Sequence, residues 1–415
     1  MSVPNFVTKN SWVAASANSK ESALNTAQTL DTSFLFNIGS VPNLEPLRES
    51  NADEMTGKEE ADVMYDLGMR AGFNLETEKM QAQHMAFLAA YALGDVSTAN
   101  VGVAGKKHTI TPTADQFPPT FTLAARYGGN IAKRRLVSCC VDSLNLSFDN
   151  NAFIKLTAQI KGTGKYDKDL PATETVSAAG SAPSLTVASA VLDDLAENVH
   201  QILAETSAGV WEPVAVTSVS TTTINITSPA VAGTIDYKVV YRTAAAWSTA
   251  PNRVDEDIML LGNATVIVGG AWDGSALDGG VHVKAESKAF EWALDNNIEV
   301  YECPEAGGSF AGGIIRGQRA QTITLRRQMR SYVWQQLLEE NGTTSIYVKF
   351  VGKSAYETGR YYTVELVFPK VGIKTGPVAD DNRLLGETLT LDVLQDDTYG
   401  SVVCIVENMQ ASYAA

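Results

Sequence analysis

Apolar and polar residues alternate along several parts of this chain, and alternation with a period of two predicts β-strands. The clearest alternating runs in the first half are 120–127, 136–148 and 153–161. Later runs occupy 319–328, 345–351, 361–368 and 387–394. In the run 153–161 the apolar residues on one side are Ile154, Leu156, Ala158 and Ile160. Such regular alternation indicates sheets with one covered face and one polar face.

Two segments have helical spacing instead. In residues 80–94 the apolar residues that share one broad face are Met80, Phe87, Leu88 and Tyr91. We expect this helix to pack on a sheet, with Thr77 as its N-terminal cap and Gly94 at its end. The second segment, 329–342, has an apolar face formed by Met329, Val333 and Leu337. Gly342 is expected to end this second helix.

Four short fragments recur in the same order in the second half of the chain. The matched pairs are 43–45 with 297–299, 68–71 with 317–320, 121–123 with 362–364, and 143–146 with 388–391. Both predicted helices follow the second fragment of their set. The sequence therefore predicts a β-rich unit present twice, at 31–165 and 252–415. A further match, 144–151 with 290–297, breaks the order and is interpreted as a general strand-then-turn pattern.

The remaining segments differ from these two units in composition and in hydrophobic pattern. Residues 1–30 are polar and rich in Ala, Ser and Asn, so we expect a flexible arm that orders only against a partner. Residues 171–184 have the composition of a linker. Three short β-patterned runs follow, at 213–220, 221–227 and 236–243. They predict a small Ig-like β-sandwich inserted at 172–250. Its aromatic residues are expected in a core rather than on a carbohydrate platform: Trp211, Tyr237 and Trp247.

Composition indicates an ordered globular protein, since 45% of the 415 residues are hydrophobic and 19% are charged. No apolar run is long enough to span a membrane, and the N-terminus lacks the pattern of a signal peptide. The four cysteines have no metal-ligand spacing and are expected to be buried thiols in a reducing compartment. A net charge of −15 disfavours tight nucleic-acid binding, and it serves either solubility alone or a surface that must repel DNA.

Residue patterns for catalysis are missing from the sequence. The four histidines are scattered, and no metal-binding spacing, phosphate-binding loop or nucleophile elbow occurs. We therefore predict that the protein is not an enzyme and needs no cofactor or metal.

Charged clusters are the candidate contact residues. An acidic segment, 48–66, is predicted to be an exposed loop, and the residues of its acidic cluster are Glu49, Asp53, Glu54, Glu59, Glu60 and Asp62. The basic clusters contain Arg134, Arg135, Arg326 and Arg327. Because these arginines abut strands or a helix in an acidic protein, we expect salt bridges to acidic neighbours, in the same chain or in another subunit. All ten residues are candidates for contacts between subunits or rings.

Several of these features together resemble the tail tube (major tail) proteins of tailed bacteriophages. The features are Glu49–Asn51, the helix ending in Tyr91–Gly94, Pro119–Leu123, the strand reaching Leu144–Leu146, and the strand ending in Lys161–Gly164. The resemblance covers residues 30–165, and the second unit is a weaker copy.

The resemblance implies a mainly β (α+β) fold with duplicated tail-tube-like β-sandwich or barrel units. Each unit would have one flanking helix, and the Ig-like domain would decorate the outer surface. Sheets of neighbouring subunits would join into an inner barrel, rings would stack into a tube, and loops and termini would reach the next ring. DNA would pass through the lumen without specific binding. The protein would reside in the virion, away from any membrane.

Two units per chain favour three chains in a pseudo-hexameric ring, with six chains as the alternative. The expected partners are other copies of the chain, the tape measure, the terminator and the baseplate or tip. Two other functions stay open. One is another tail ring component, such as a terminator or distal adaptor, and the other is a bacterial surface protein with an adhesive β domain.

Overall fold

A computed structural model describes residues 8–128, 132–149, 152–168, 171–243, 250–251, 253, 255–283, 287–303, 310–381 and 383–415. Strands account for 56% of the residues and helices for 8%, so the predicted mainly β class is confirmed. The strands form several sheets, none of them closed within the described residues. The chain divides into two compact units. The first comprises 1–12, 124–135 and 166–250, and the second comprises 13–123, 136–165 and 251–415.

The elements are numbered here in chain order. The strands up to the end of the predicted inserted domain are β1 (Trp12–Ala15), β2 (Thr32–Phe34), β3 (Leu44–Ser50), β4 (Met64–Thr77), β5 (Gly94–Val101), β6 (Gly105–Pro112), β7 (Phe121–Tyr127), β8 (Ala132–Asp149), β9 (Lys155–Gly162), β10 (Tyr166–Lys168), β11 (Pro171–Ala179), β12 (Ser184–Thr186), β13 (Val199–Ser207), β14 (Val210–Pro213), β15 (Val216–Ser220), β16 (Thr223–Ile226) and β17 (Thr234–Arg242). The later strands are β18 (Thr265–Val268), β19 (Ala271–Trp272), β20 (Leu277–Asp278), β21 (Val281–His282), β22 (Ser287–Asp295), β23 (Ile298–Tyr301), β24 (Gly313–Arg316), β25 (Ala320–Gln328), β26 (Thr343–Glu357), β27 (Arg360–Thr375), β28 (Val378–Asp381), β29 (Leu384–Val393) and β30 (Val403–Asn408). The helices are α1 (Ala82–Leu93) and α2 (Val333–Glu339).

Two antiparallel sheets organise the second unit. The eight-stranded sheet has the order β3–β4–β9–β8–β22–β25–β29–β28. The seven-stranded sheet has the order β5–β6–β30–β27–β26–β18–β21. Strand β27 belongs to both, because its second half also pairs with β29. Apart from 124–135, the segments 31–165 and 252–415, predicted as two units, thus lie within one compact unit.

Helix α1 lies in the core between these sheets. It packs against β9 of the eight-stranded sheet and against β5, β6, β27 and β30 of the seven-stranded sheet. All twelve of its residues are buried, so the expectation of a single packed face was too narrow. Gly94 ends the helix in the left-handed conformation (φ 99°), as predicted.

The N-terminus of α1 differs from the prediction. Thr77 is the last residue of β4, and Gln81 occupies the cap position instead. The Gln81 backbone N–H donates to Nδ1 of His84 at 3.2 Å, and the Gln81 amide donates to the Glu256 carbonyl at 2.6 Å. His84, within the helix itself, thus bonds to the cap backbone, while a distant segment, through Glu256, holds the Gln81 side chain, which the local sequence could not indicate.

Glu256 places a buried carboxyl group at this helix end. Its Oε2 accepts the Gln83 backbone N–H at 2.6 Å. Burial raises the pKa of Glu256 to about 8, because the charged form is poorly solvated there. Burial likewise lowers the pKa of His84 to about 4. At neutral pH both groups are therefore held mainly uncharged.

The N-terminal segment differs from the flexible arm that was predicted. Residues 1–7 lie outside the described part of the chain, but Val13–Ala17 are buried, and Val13–Ala15 pair with β2. Tyr91 donates its hydroxyl to the Ser16 carbonyl at 2.7 Å. Farther on, the buried Glu21 carboxylate accepts hydrogen bonds from Thr120, Thr122 and Ser138. A flexible arm is wrong for this stretch, because it pairs with β2 and bonds to Tyr91, Thr122 and Ser138.

The second helix is shorter than predicted. It spans Val333–Glu339 and ends at Glu340, with Gly342 donating its N–H to the Leu337 carbonyl at 2.8 Å. Trp334 is its buried residue, whereas Val333 is exposed. The predicted apolar face was therefore wrong at Val333, and a single aromatic side chain anchors this short helix.

The first unit contains a small β-sandwich. One sheet has the order β11–β17–β13–β14 and the other β12–β16–β15. Its core contains eleven buried residues: Leu185, Val187, Val191, Val199, Ile202, Ala204, Ile224, Ile226, Tyr237, Val239 and Tyr241. Tyr237 is a core residue as predicted, whereas Trp211 is half-buried beneath Lys238 Nζ, 4.0 Å from its ring centroid. Trp247 lies outside the described residues.

The prediction of a linker at 171–184 is wrong. Residues 171–179 form β11, which pairs antiparallel with β17 along nine residues. Small and hydroxyl-bearing side chains gave this segment the composition of a loop. Pairing with a strand about sixty residues later decides its structure instead.

We expect a Glu256→Gln variant to become progressively more stable than the wild type as pH rises. A raised carboxyl pKa stabilises the fold fully below the unfolded value near 4.5, and this stabilisation is lost as pH approaches about 8. The difference in unfolding free energy should grow by at most about 1.4 kcal/mol per pH unit. Urea unfolding of both proteins at pH 5, 6, 7 and 8 measures it, and parallel stability curves would contradict the burial argument.

Candidate assembly surfaces

One face of the eight-stranded sheet is polar across six of its strands, from β4 to β29. Buried residues alternate with this face in every long strand, as in β9 and β22. One row that crosses six strands consists of Glu76, Thr157, Asn145, Ala293, Thr322 and Asp392. A parallel row consists of Lys155, Ser147, Glu291, Thr324 and Thr390. The face is thus covered mainly by hydroxyl, amide and carboxylate groups.

Negative charge exceeds positive charge on this polar face. Its carboxylates belong to Glu76, Asp149, Glu291, Asp295 and Asp392, and its cations are Lys155, Lys161, Arg326 and Lys374, which binds Asp392 at 3.3 Å. Lys161 is engaged by Asp142 at 3.0 Å and by the Ile298 carbonyl at 2.8 Å. Asn145 donates to Glu291 at 2.5 Å. Such a face offers few cations to a polyanion.

The outer sides of the two terminal strands, β3 and β28, are unpaired within the described part of the chain, and next to β28 the second half of β27 pairs with β29. β3 pairs only with β4, and β28 pairs only with β29. Large apolar residues are exposed beside β28, namely Val378 (45%), Leu384 (52%) and Leu385 (64%). Unpaired edges with exposed apolar residues are ready to pair with another chain.

The predicted acidic segment forms the turn of a long hairpin, which we call the ribbon (44–70). Glu49 lies in β3, and the other five acidic candidates lie in the connection, where all are exposed: Asp53, Glu54, Glu59, Glu60 and Asp62. The buried Asn51 closes the connection, since its side chain bonds to the Asp62 carboxylate and accepts the Asp62 and Val63 N–H groups. The Asn51 hydrogen bond lowers the pKa of Asp62. The loop is thus exposed, as expected, yet defined in shape.

Apolar residues on the ribbon were not anticipated from the sequence. The exposed ones are Leu47 (38%), Met55 (106%), Val63 (45%), Met64 (62%), Tyr65 (43%) and Leu67 (63%). The signal that could have found them is the run VMYDL at 63–67, which is apolar yet follows an acidic stretch. A surface of this kind marks an interaction site more often than a solvated loop.

The arginine candidates have different surroundings. Arg134 lies about 6 Å from the rings of Tyr127 and Tyr166. Arg135 Nε donates to Asp167 Oδ2 at 2.9 Å, so its acidic neighbour is in the same chain. Arg326 is half-exposed, and its Nη2 atom lies 3.9 Å from Asp149 Oδ1. A salt bridge of that length is weak and leaves the Arg326 guanidinium accessible.

The prediction that Arg327 contacts another subunit is wrong. Its side chain is 4% exposed, and its Nε donates to the fully buried Glu387 at 2.5 Å. The guanidinium also lies 5.2 Å from the Trp334 ring, and Gln335 donates to Glu387 at 2.9 Å. Because neighbouring strand residues face opposite sides, Arg326 reaches the polar face while Arg327 fixes α2 over the core.

In the described part of the chain, no three His, Cys, Asp or Glu side chains are grouped to hold a metal ion. No helix found there is long and apolar enough to cross a membrane. Neither a protein-family model nor a curated protein matches the chain.

We expect Arg327→Met to destabilise the fold by about 3–5 kcal/mol, because it leaves the Glu387 carboxylate buried without its cation. The matched control, Arg326→Met, changes the adjacent exposed arginine and should cost less than about 1 kcal/mol. Chemical denaturation measures both. Equal losses in the two variants would contradict the assigned burial.

Proposed function

We propose that this chain is the structural subunit of a phage tail tube, whose stacked rings form a conduit for DNA. The observation that carries the proposal is the eight-stranded sheet. One face covers a core, the other is polar with excess negative charge, and the outer sides of the terminal strands β3 and β28 are unpaired among the described residues. Copies joined edge to edge would enclose the polar face as a water-filled lumen.

The electrostatics of the polar face support a conduit. Phosphates bind to proteins through Lys and Arg, and affinity rises with the number of such contacts. Here carboxylates outnumber cations on the polar face, and the whole chain carries −15. DNA in such a lumen would be repelled weakly and would slide without a fixed binding site.

Strand origin supports three chains per ring over six. The first predicted unit supplies β3, β4, β9 and β8, and the second supplies β22, β25, β29 and β28. Each unit therefore gives four neighbouring strands to one continuous sheet. Three such chains would present six similar four-stranded segments to the lumen, in keeping with a structural role in the virion and with tail proteins as partners.

Charges placed on the β28 edge should prevent ring formation. We expect Val378→Glu combined with Leu384→Glu to stay folded, because both residues are exposed, and to remain a single chain in solution. Val281→Glu, an exposed site (72%) on the seven-stranded sheet, is the matched control.

Analytical ultracentrifugation and electron microscopy at rising concentration test this edge. Wild type and control should form rings and then tubes. A wild-type protein that forms rings but never stacks would favour a terminator or adaptor, and a double variant that still forms rings would exclude this edge as the joint.

Removing residues 172–250 should leave ring assembly intact. The segment has its own core and its own two sheets, so its loss removes no strand of the eight-stranded sheet. Electron microscopy of the shortened protein, with circular dichroism to verify folding, measures the result. Loss of rings in a folded protein would show that this domain takes part in assembly.

A further inference from the structure

One hairpin at the edge of the seven-stranded sheet bends back over that sheet. β18 pairs with β21, and β19 pairs with β20 in the same continuous register, so residues 265–283 form a single hairpin. We call its outer part, residues 269–280, the flap. Two glycine pairs separate the flap from β18 and β21: Gly269 and Gly270 on one leg, Gly279 and Gly280 on the other.

The glycine pairs permit a bend that other residues would block. All four glycines have a positive φ, between 75° and 91°. A Cβ atom on Gly270 would lie 2.8 Å from the Asp278 carbonyl oxygen, and one on Gly280 would lie 2.6 Å from the Gly269 carbonyl oxygen. The two legs therefore approach more closely at the bend than side chains allow. Because glycine also has the greatest backbone freedom, the four residues form a line about which the flap can rotate.

The flap covers an apolar strip on the outer face of the sheet. Phe368 packs against Trp292 of the eight-stranded sheet, so the adjacent Val367 points away from the core between the sheets. Trp272 of the flap packs against Val367 and is 8% exposed. The other members of this cluster are Leu277 of the flap, Tyr347, Tyr399, Val403 and Ile405. Without the flap, this part of the outer face would be an exposed apolar surface.

Hydrogen bonds hold the base of the flap to the sheet, whereas apolar contacts hold its tip. At the base, Gly269 donates its N–H to the Ser345 carbonyl at 2.8 Å, and the Ser345 hydroxyl donates to the Gly270 carbonyl at 3.0 Å. At the tip, Asp273 accepts the Ser275 and Ala276 N–H groups, both at 2.7 Å. The tip is therefore a turn closed by its own hydrogen bonds, which it keeps when it leaves the sheet.

We infer that the flap is a latch, which opens as a unit about its glycine pairs while the seven-stranded sheet stays folded. Opening exposes Trp272 and the apolar strip together, and closing buries both. Exposed apolar surface of this kind promotes association, so the latch controls when the outer face of the sheet is adhesive. The inference goes beyond the proposed function. It concerns the single chain and is tested at a concentration at which rings do not form.

Thiol labelling of the full chain tests whether the latch opens. Val367→Cys places a thiol beneath the flap, and native Cys404, which is buried and pairs with Leu366 on the opposite face of the same sheet, is the internal control. In dilute urea the introduced thiol should react at least about 100-fold faster than Cys404, because it needs only a local opening. Its rate should hardly change with urea. Labelling of both thiols at one rate, with one urea dependence, would mean that the flap opens only on unfolding and would overturn the inference.

Two pairs of substitutions in the Val367→Cys protein test the bend. Gly270→Ala with Gly280→Ala puts methyl groups against the backbone of the opposite leg. This variant should hold the flap open, so that the thiol at position 367 reacts like an exposed one while Cys404 stays protected. Gly269→Ala with Gly279→Ala is the matched control, because these glycines also have positive φ but the nearest atoms are 4.0 and 3.9 Å from the added Cβ.

The control pair should be labelled much more slowly at position 367 than the first pair. Equal labelling of the two folded variants would show that the flap does not turn at these glycines, and it would overturn the latch. Circular dichroism verifies folding. If the first pair does not fold, the urea dependence of labelling in the Val367→Cys protein still decides.

Discussion

Complete burial of α1 is the constraint on which the second unit depends. A helix with no solvent-exposed side must be covered all round, and here the cover comes from strands far apart in sequence. β9 belongs to the first predicted repeat, whereas β27 and β30 belong to the second. Since strands from both cover one helix, the two predicted repeats share a core. The sheet then runs without a break from β8 to β22.

The alternation of apolar and polar residues predicted those strands that have one face buried and the other face exposed. β9 is the clearest case, because Ile154, Leu156, Ala158 and Ile160 are all buried on the predicted side. Alternation also implies that Arg326 and Arg327 face opposite ways. It does not say which of them is buried, because that depends on Glu387 and Trp334, which other elements supply. The alternation of residues thus predicts that neighbouring side chains point to opposite faces, whereas packing against other elements decides which of them is buried.

Partners distant in the sequence account for what the pattern missed. Residues 171–179 have the composition of a linker, but they pair with β17. Ser16, in the predicted arm, accepts a hydrogen bond from Tyr91. The fragment match between 144–151 and 290–297 seemed incidental. Residues 143–149 and 289–295, which contain most of the two fragments, form neighbouring antiparallel strands, with Phe148 opposite Phe290 and their rings stacked 5.6 Å apart. Similar strands suit this position because both meet the same core and the same polar face.

The pairing between β8 and β22 can be compared with the pairing that two chains could form edge to edge. Within the chain, seven residues of β8 pair with seven of β22. At the outer edges, β28 spans Val378–Asp381 and β3 spans Leu44–Ser50, so an edge-to-edge joint would have fewer backbone hydrogen bonds. Exposed Val378 and Leu384 can offset this deficit by burying apolar surface. A shorter joint supplemented by apolar contacts would let single chains fold first and associate afterwards, at sufficient concentration.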